Sequence, residues 1–185
     1  VFNSNKTHNI LAAQINLKPG RNILQLEVKL PLAQEVLNST EKISTVSFQS
    51  GVDESNWLSV NNRAFANHPE QGGWTNETLL SRLDESWFNA SGLLLHFTER
   101  PSRQLTGFCW TKLDKLSNPK LGEIYIIAVD PDHHNKGLGR SLTVAGLNHL
   151  ATAGATTGML FVDKENAPAI SVYSKIGFSV HHEGQ

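Results

Sequence analysis

The segment of this sequence richest in reactive side chains runs from Val129 to Leu142 and reads VDPDHHNKGLGRSL. Its adjacent histidines, His133 and His134, first suggest a metal site. Neighbouring side chains diverge in any regular conformation, however, and the other histidines share no metal-ligand spacing with this pair, so no metal is expected. The glycines Gly137 and Gly139 suggest a second chemistry, a phosphate cradle, and a tight strand-to-helix turn that binds nothing is the third alternative.

The glycine pair fits neither of two common nucleotide motifs. A dinucleotide fingerprint requires glycine where Leu142 stands, and no Gly-Lys-Ser/Thr follows as a P-loop requires. A glycine-rich turn that opens a helix can still direct backbone N–H groups at an anion such as pyrophosphate, with Lys136 and Arg140 beside it. The local residues leave both the anion cradle and the plain turn open.

The elements around this turn are strongly patterned. The apolar run EIYIIAVDP, residues 123–131, predicts the strand that leads into it. A helix follows, whose apolar face holds Val144, Leu147, Leu150 and Ala151 and which is expected to end near Gly154. Further on, GMLFV predicts a strand, Asn166 is expected to cap the helix APAISVYSKI, Gly177 to stop it, and FSV to form a strand.

The first half of the chain predicts a similar mixture of strands and helices. Residues 22–32 alternate apolar and polar side chains as a half-buried strand does, and the polar NSTEK after them reads as a linker. ISTVSF predicts a strand, Asp53 and Thr75 are candidate helix N-caps, and residues 92–99 and 103–113 predict a hairpin. Strands mixed with helices in this order predict an α/β or α+β sheet flanked by helices.

Composition limits the classes of function. The 185 residues suffice for one domain with an extension, and 16 basic against 17 acidic residues leave no electrostatic footprint for nucleic acid or an anionic membrane. No signal peptide or long apolar run is found, so a cytoplasmic protein is the expectation. The lone Cys109 excludes an intramolecular disulfide, and without a histidine–aspartate pattern to activate it, it reads as a buried thiol rather than a nucleophile.

Two separated motifs resemble the GNAT acetyltransferase superfamily. VDPDHHNKGLGRSL is similar to the family's loop for the pyrophosphate of acetyl-CoA, Gln/Arg-x-x-Gly-x-Gly/Ala, with histidine at the first position. NAPAISVYSKIGF is similar to the family's Asn-x-x-Ala-x-x-x-Tyr-x-x-x-Gly-Phe segment. The resemblance implies the GNAT fold, a mixed central β-sheet flanked by helices, whose splayed central parallel strands bind acetyl-CoA.

A narrower resemblance, over about residues 43–180, is to the second, catalytic half of the mycothiol synthase family, whose members carry two GNAT halves in tandem. It is carried by NNRAFANHPEQGGWT, WFNASGLLLHF, GFCWTK and LGEIYIIAVDP. It implies that residues 1–42 are the terminal strand of a preceding half plus a linker, and that residues 43–185 are the catalytic domain. The missing half would be a partner in cis, the chain otherwise a monomer, and the strand that usually follows GFSV would be missing.

The resemblance also implies a reaction, the direct transfer of acetyl from acetyl-CoA to the cysteinyl amine of a sugar–inositol conjugate. Glu123 would accept the amine's proton, or else be a solvated strand-end acid; a two-residue period puts it on one face with Tyr125, Ile127 and Val129. Tyr173 would protonate the coenzyme A thiolate, or else be a core tyrosine.

The remaining site residues are also carried over from the family. Those implied to bind acetyl-CoA are Ile127, Ala128, Val129, His134, Asn135, Lys136, Gly137, Leu138, Gly139, Arg140, Asn166, Ala169 and Ile170. Glu70, Lys112, Glu123 and Phe161 are implied to bind the acceptor, with Phe161 standing where the family has a tyrosine, so that a hydroxyl donor is lost. The open alternatives are a GNAT enzyme for a protein N-terminus or another small amine, and a non-catalytic half that binds coenzyme A.

Overall fold

The structure, a computed structural model, describes residues 21–99, 103–114, 116–117 and 120–184. Its strands are β1 (Ile23–Lys29), β2 (Val46–Ser47), β3 (Leu93–Phe97), β4 (Leu105–Asp114), β5 (Leu121–Val129), β6 (Thr157–Asp163) and β7 (Ser179–Gly184). Its α-helices are α1 (Gln34–Asn38), α2 (Glu54–Ala64), α3 (Asn76–Leu83), α4 (Leu138–Thr152) and α5 (Ala167–Ile176). The predicted sheet flanked by helices is confirmed.

The strands form one mixed sheet in the order β2-β3-β4-β5-β6-β1-β7. Every pairing is antiparallel except that of β5 with β6, which is parallel. That parallel pairing joins only residues 121–123 to residues 157–159. Beyond this point β5 continues against β4 and β6 continues against β1, so the two central strands splay apart as predicted.

The helices cover both faces of the sheet and create two cores. Successive residues of β4 point to opposite faces, and accordingly Cys109 belongs to a cluster with Leu142 and Leu147 of α4, whereas Phe108 belongs to a cluster with Trp57 of α2. Tyr173 and Ile176 of α5 lie in the α4 cluster, and Leu79 of α3 lies in the α2 cluster. The gap between β5 and β6 therefore has the α4 cluster on one face of the sheet and the α2 cluster on the other.

The helix ends follow the sequence signals with one exception. The Thr75 hydroxyl accepts a hydrogen bond from the Thr78 N–H at 3.2 Å, and the Asn166 side chain accepts one from the Ala169 N–H at 3.2 Å. Gly177 ends α5 in the left-handed conformation at φ 106°. Asp53 precedes α2 as predicted, but its carboxylate accepts from the upstream Gln49 N–H at 2.8 Å and so closes the preceding turn instead of capping the helix.

Strand β1 lies inside the sheet, between β6 and β7, and hydrogen-bonds to both. Leu24 and Leu26 project from it into the α4 cluster and are 6% and 3% exposed. The resemblance implied that a strand after GFSV is missing, and in the structure it is β1 that lies between β6 and β7. The assignment of residues 1–42 to a preceding half stays a prediction, and residues 1–20 of it lie outside the described part of the chain.

Within the described ranges, no helix is long and apolar enough to cross a bilayer.

Candidate active site

The candidate site begins where β5 and β6 part. Glu123, opposite Met159, is the last residue of β5 that pairs with β6. From Ile124 to Val129 the β5 edge that faces β6 has no strand partner among the residues that the structure describes, and its backbone groups line an open wedge. Such an edge can pair with an extended ligand as an added strand would.

A β-bulge divides β5 into two functional parts. Trp110 lies opposite Ile126 while Thr111 lies opposite Ile124, so Tyr125 is an extra residue on β5. Tyr125 packs with the α2 cluster, whereas Ile127 and Val129 pack with the α4 cluster. The prediction that Glu123 shares one face with Ile127 and Val129 is therefore wrong, because the inserted residue reverses the side-chain alternation.

On the α4 side of the wedge lies a cavity of about 330 Å³. Its walls are the end of β5, the turn after it, the first turns of α4 and one side of α5. The predicted residues that line it are Ile127, Ala128, Val129, His134, Asn135, Gly137, Leu138, Gly139, Arg140, Ala169 and Tyr173. One catalytic candidate and most of the cofactor candidates thus share a single cavity.

The start of α4 is built to present bare backbone amides. Its N-cap is Gly137 in the left-handed conformation at φ 80°, and no side chain caps the helix there. Asn135 also has a positive φ, 61°, so the chain curls twice before the helix begins. The first N–H groups of a helix have no partner within it, and with the helix dipole they favour an anion, so this turn suits a pyrophosphate.

The polar side chains of the turn before α4 differ in what they contact and in whether they line the cavity. The His134 Nε2–H donates to the Val129 carbonyl at 3.0 Å, which ties the turn to the end of β5. The Arg140 guanidinium donates to the hydroxyls of Thr40 and Ser39, both at 3.0 Å, and is fixed at the cavity rim. Lys136 does not line the cavity, because its ammonium turns back to the Asp132 carbonyl at 3.4 Å.

Two other cofactor candidates also lie outside the cavity wall. The Asn166 side chain is used as the N-cap of α5, and Ile170 packs into the α4 cluster. The sequence prediction in turn missed His133, Thr143 and Val172, which do line the cavity. Helical spacing could have identified the last two, since Thr143 lies four residues after Gly139 and Val172 three after Ala169.

On the opposite face, Glu123 has a surrounding suited to a base. Its burial raises the pKa of the carboxyl above its ordinary value, and the positive charge of Lys112 partly opposes that rise. Lys112 lies directly across from Glu123 in the pairing of β4 with β5. A carboxylate whose pKa is moved toward neutrality accepts protons more readily than an ordinary surface acid.

Tyr173 and Cys109 are both buried in the α4 cluster. Burial raises the pKa of Tyr173 to about 12, with a smaller contribution from Cys109, so its hydroxyl is protonated at neutral pH. Burial likewise raises the pKa of Cys109 to about 12, which keeps it a thiol. Cys109 therefore has no thiolate to offer as a nucleophile, in line with its reading as a buried thiol.

The other acceptor candidates lie at separate points around the wedge. Glu70 lies in the loop between α2 and α3, where its carboxylate accepts from Arg21 at 3.0 Å. Arg21 also contacts Asp163 at 3.5 Å, so it links this loop to the end of β6. Phe161 lies on β6 and is 44% exposed. Among the described residues, no three His, Cys, Asp or Glu side chains are grouped as a metal site requires.

Comparison with known proteins identifies the architecture. The chain is 41% identical over 177 residues to the mycothiol acetyltransferase of Kocuria rhizophila, an alignment that covers 93% of this chain. A profile of the FR47-like protein family matches residues 111–184, from β4 to the end of β7. The chain belongs to the GNAT family of N-acetyltransferases. This chain of the GNAT family spans 58% of the length of the Kocuria relative.

Solved structures share the fold. A GCN5-related N-acetyltransferase from Sphaerobacter thermophilus superimposes with a TM-score of 0.74 at 22% identity, over 97% of this chain and 55% of that one. A structure of the NatC complex bound to Gag peptide and CoA aligns with a TM-score of 0.60 at 15% identity, over 74% of this chain and 84% of that chain. At these identities the likeness concerns the fold alone.

Proposed function

We propose that this chain transfers the acetyl group of acetyl-CoA to the cysteinyl amine of a glucosamine–inositol conjugate, the step that forms mycothiol. The observation that carries the proposal is the position of Glu123, a half-buried carboxyl at the fork between β5 and β6, with a cavity walled by Tyr173 and by bare helix amides on the other face. The identity to a relative named mycothiol acetyltransferase supports this choice of acceptor.

The chain's own residues suit the binding of the donor. Amides at the start of α4 would hold the pyrophosphate, and the unpaired edge of β5 from Ile127 to Val129 would pair with the pantetheine arm. Acetyl-CoA supplies the acetyl group as a thioester, whose carbonyl oxygen the Val129 N–H would meet. Arg140, fixed at the rim, adds a positive charge for a phosphate oxygen.

Glu123 would provide the base. The acceptor is an ammonium near neutral pH, and it attacks only after losing a proton, which the carboxylate accepts directly or through one water. The new bond joins the amine nitrogen to the acetyl carbon, and the carbon–sulfur bond breaks. Because the carboxyl is half-buried, its pKa is raised above the ordinary value, which helps it to retain the proton.

Tyr173 would return a proton to the departing sulfur. A phenol with a pKa of about 12 is a weak acid beside an ordinary thiol with a pKa of about 8.5. A thiolate formed within the same apolar cavity is itself destabilised by the burial that raises the pKa of the phenol, so the proton moves between groups that are both poorly solvated. The exclusion of water thus reduces the difference in pKa between the phenol and the thiol, and with it the cost of this proton transfer.

The acceptor would be recognised on the Glu123 face of the sheet. Lys112, next to Glu123, and Glu70, in the α2–α3 loop, offer a donor and an acceptor to a polyhydroxylated ligand. Phe161 offers ring surface without a hydroxyl. The resemblance to the mycothiol synthase family predicts a tyrosine at this position, so one hydrogen bond to the conjugate is expected to be missing here.

The test is a mass-spectrometric assay of the purified chain with acetyl-CoA and either the cysteinyl glucosamine–inositol amine or a peptide N-terminus. We expect acetylation of the sugar conjugate, and a fall in kcat of about 100- to 10,000-fold for Glu123→Gln, with the Kd for acetyl-CoA unchanged. Glu165→Gln is the matched control, since Glu165 is an exposed acid after β6. Acetylation of the peptide without the conjugate would overturn the proposed acceptor.

A further inference from the structure

Trp87 has no part in the function derived so far, yet it stands beside the base. It follows α3 and is half-buried against the α2 cluster. Its ring meets that of Tyr125 edge-on, with centroids 4.9 Å apart, and also packs on Trp110 at 5.9 Å. Tyr125 is the bulged residue of β5 and lies two residues after Glu123. The Trp87 ring therefore packs against the bulge next to the proposed base.

The indole ring of Trp87 also contacts a lysine. The Lys112 Nζ lies 4.9 Å from the centroid of the Trp87 ring, within the range of a cation–π interaction. Lys112 is also the cross-strand partner of Glu123. Within the described ranges, no carboxylate forms a salt bridge with Lys112, so the indole is the contact that fixes the direction of its flexible side chain.

We propose that Trp87 is a positioning residue, which holds the Lys112 ammonium beside Glu123 and thereby sets both the proton affinity of the base and the orientation of the acceptor. The inference rests on the proposed function for the role of the base, whereas the placement of Lys112 rests on the contacts alone. A lysine on a mobile stem would reach many positions, and a rigid aromatic face restricts it to one.

The charged and titratable groups around Glu123 determine the sign of the effect. Lys112 on β4 lowers the pKa of Glu123 against the rise caused by burial. Tyr125 on β5 interacts with Glu123, and Arg82 and Glu85, paired at 3.4 Å, interact with Tyr125 from α3 and the turn after it. Release of Lys112 removes the cation that favours the carboxylate, so the pKa of Glu123 would rise further.

The experiment compares Trp87→Leu, Trp87→Phe, Lys112→Met and the double variant Trp87→Leu/Lys112→Met. Since a base must be ionised to act, activity falls as pH drops through its pKa, and we expect Trp87→Leu to move the acid limb of kcat/KM to higher pH. The KM for the amine should rise about two- to five-fold, the size of effect expected from the loss of one cation–π contact. The KM for acetyl-CoA should stay unchanged. Trp87→Phe keeps an aromatic face and should recover most of the loss.

The double variant separates positioning from mere packing. If Trp87 acts through Lys112, the leucine change moves the acid limb no further once Lys112 is methionine. Additive shifts, or a lower Tm and kcat with an unmoved acid limb, would overturn the proposal. Carbon-13 NMR titration of the Glu123 carboxyl, assigned with Glu123→Gln, gives the same pKa comparison in ligand-free protein. An inactive wild type with a shifted titration in Trp87→Leu would thus reject the proposed function and keep this inference.

Discussion

Burial has opposite consequences for the two catalytic candidates. It raises the pKa of Glu123, which lies on the face of the sheet with Lys112, and it raises the pKa of Tyr173, which lies in the other core. For the carboxyl the shift brings the pKa closer to neutral pH, and for the phenol it moves the pKa further away. The same physical cause thus suits Glu123 to the proposed role of base and keeps Tyr173, the proposed acid, protonated at neutral pH.

This difference predicts the pH dependence of a Tyr173 variant. Because the pKa of Tyr173 is about 12, the phenol stays protonated below about pH 11, so the rate in the wild type should show no fall due to its ionisation there. Tyr173→Phe should lower kcat about 100-fold or more across the whole range without creating or removing a limb. Steady-state kcat measured against pH tests this, with the exposed-acid variant Glu165→Gln as control. A basic limb near neutral pH that vanishes in Tyr173→Phe would contradict it.

At the scale of elements, the sequence predicted well where one local signal determines the structure. The caps at Thr75 and Asn166 follow from patterns confined to a few residues, whereas the splay of the central strands was expected only from the resemblance to the GNAT family. The bulge at Tyr125 was not predictable, because β5 keeps its alternation of buried and half-exposed residues through it and the extra residue shows only in the pairing with β4. The prediction that Asp53 caps α2 was wrong, because its carboxylate can accept either from the first N–H groups of α2 or from the upstream Gln49 N–H, and the sequence alone does not decide between them.

The contact between α4 and β4 depends on a glycine inside a helix. A Cβ at Gly146 would overlap the Cys109 Sγ, which is fully buried. Gly146→Ala should therefore destabilise the fold by about 1–3 kcal/mol, even though alanine is intrinsically the better helix former by about 1 kcal/mol. The expected fall in Tm is roughly 3–10 °C by calorimetry.

The matched test of that steric cause is Cys109→Ala. Removal of the sulfur makes room for the new methyl group, so Gly146→Ala should cost less in the Cys109→Ala background than in the wild type. Equal costs in both backgrounds would refute the contact as the cause. Since Cys109 takes no part in the proposed reaction, the single variant also checks that kcat stays near that of the wild type.

At the scale of the whole molecule, β1 joins β6 and β7 into one sheet. It separates β6 from β7, and its Leu24 and Leu26 are buried with α4 and α5. Without β1, the facing edges of β6 and β7 would expose unpaired N–H and C=O groups, and the α4 cluster would lose part of its apolar surface. The cavity beside α4 thus depends on a strand that lies about 100 residues earlier in the sequence than β5.

A chain limited to residues 43–185, the predicted catalytic domain, should therefore fail to reach the native fold, although it contains Glu123, Tyr173 and the whole turn before α4. We expect a loss of cooperative thermal unfolding by circular dichroism and aggregation in size-exclusion chromatography, since the loss of a buried leucine alone costs about 2–5 kcal/mol. The control is a chain of residues 21–185, which keeps β1 and should unfold cooperatively. A synthetic peptide of residues 21–32 added in trans should restore folding by inserting between β6 and β7. The same peptide with Leu24→Asp and Leu26→Asp should not restore it, because the new carboxylates would be buried without a partner. A cooperative melt of the 43–185 chain at the Tm of the 21–185 chain would show that β1 is an accessory to the sheet and not a part of its core.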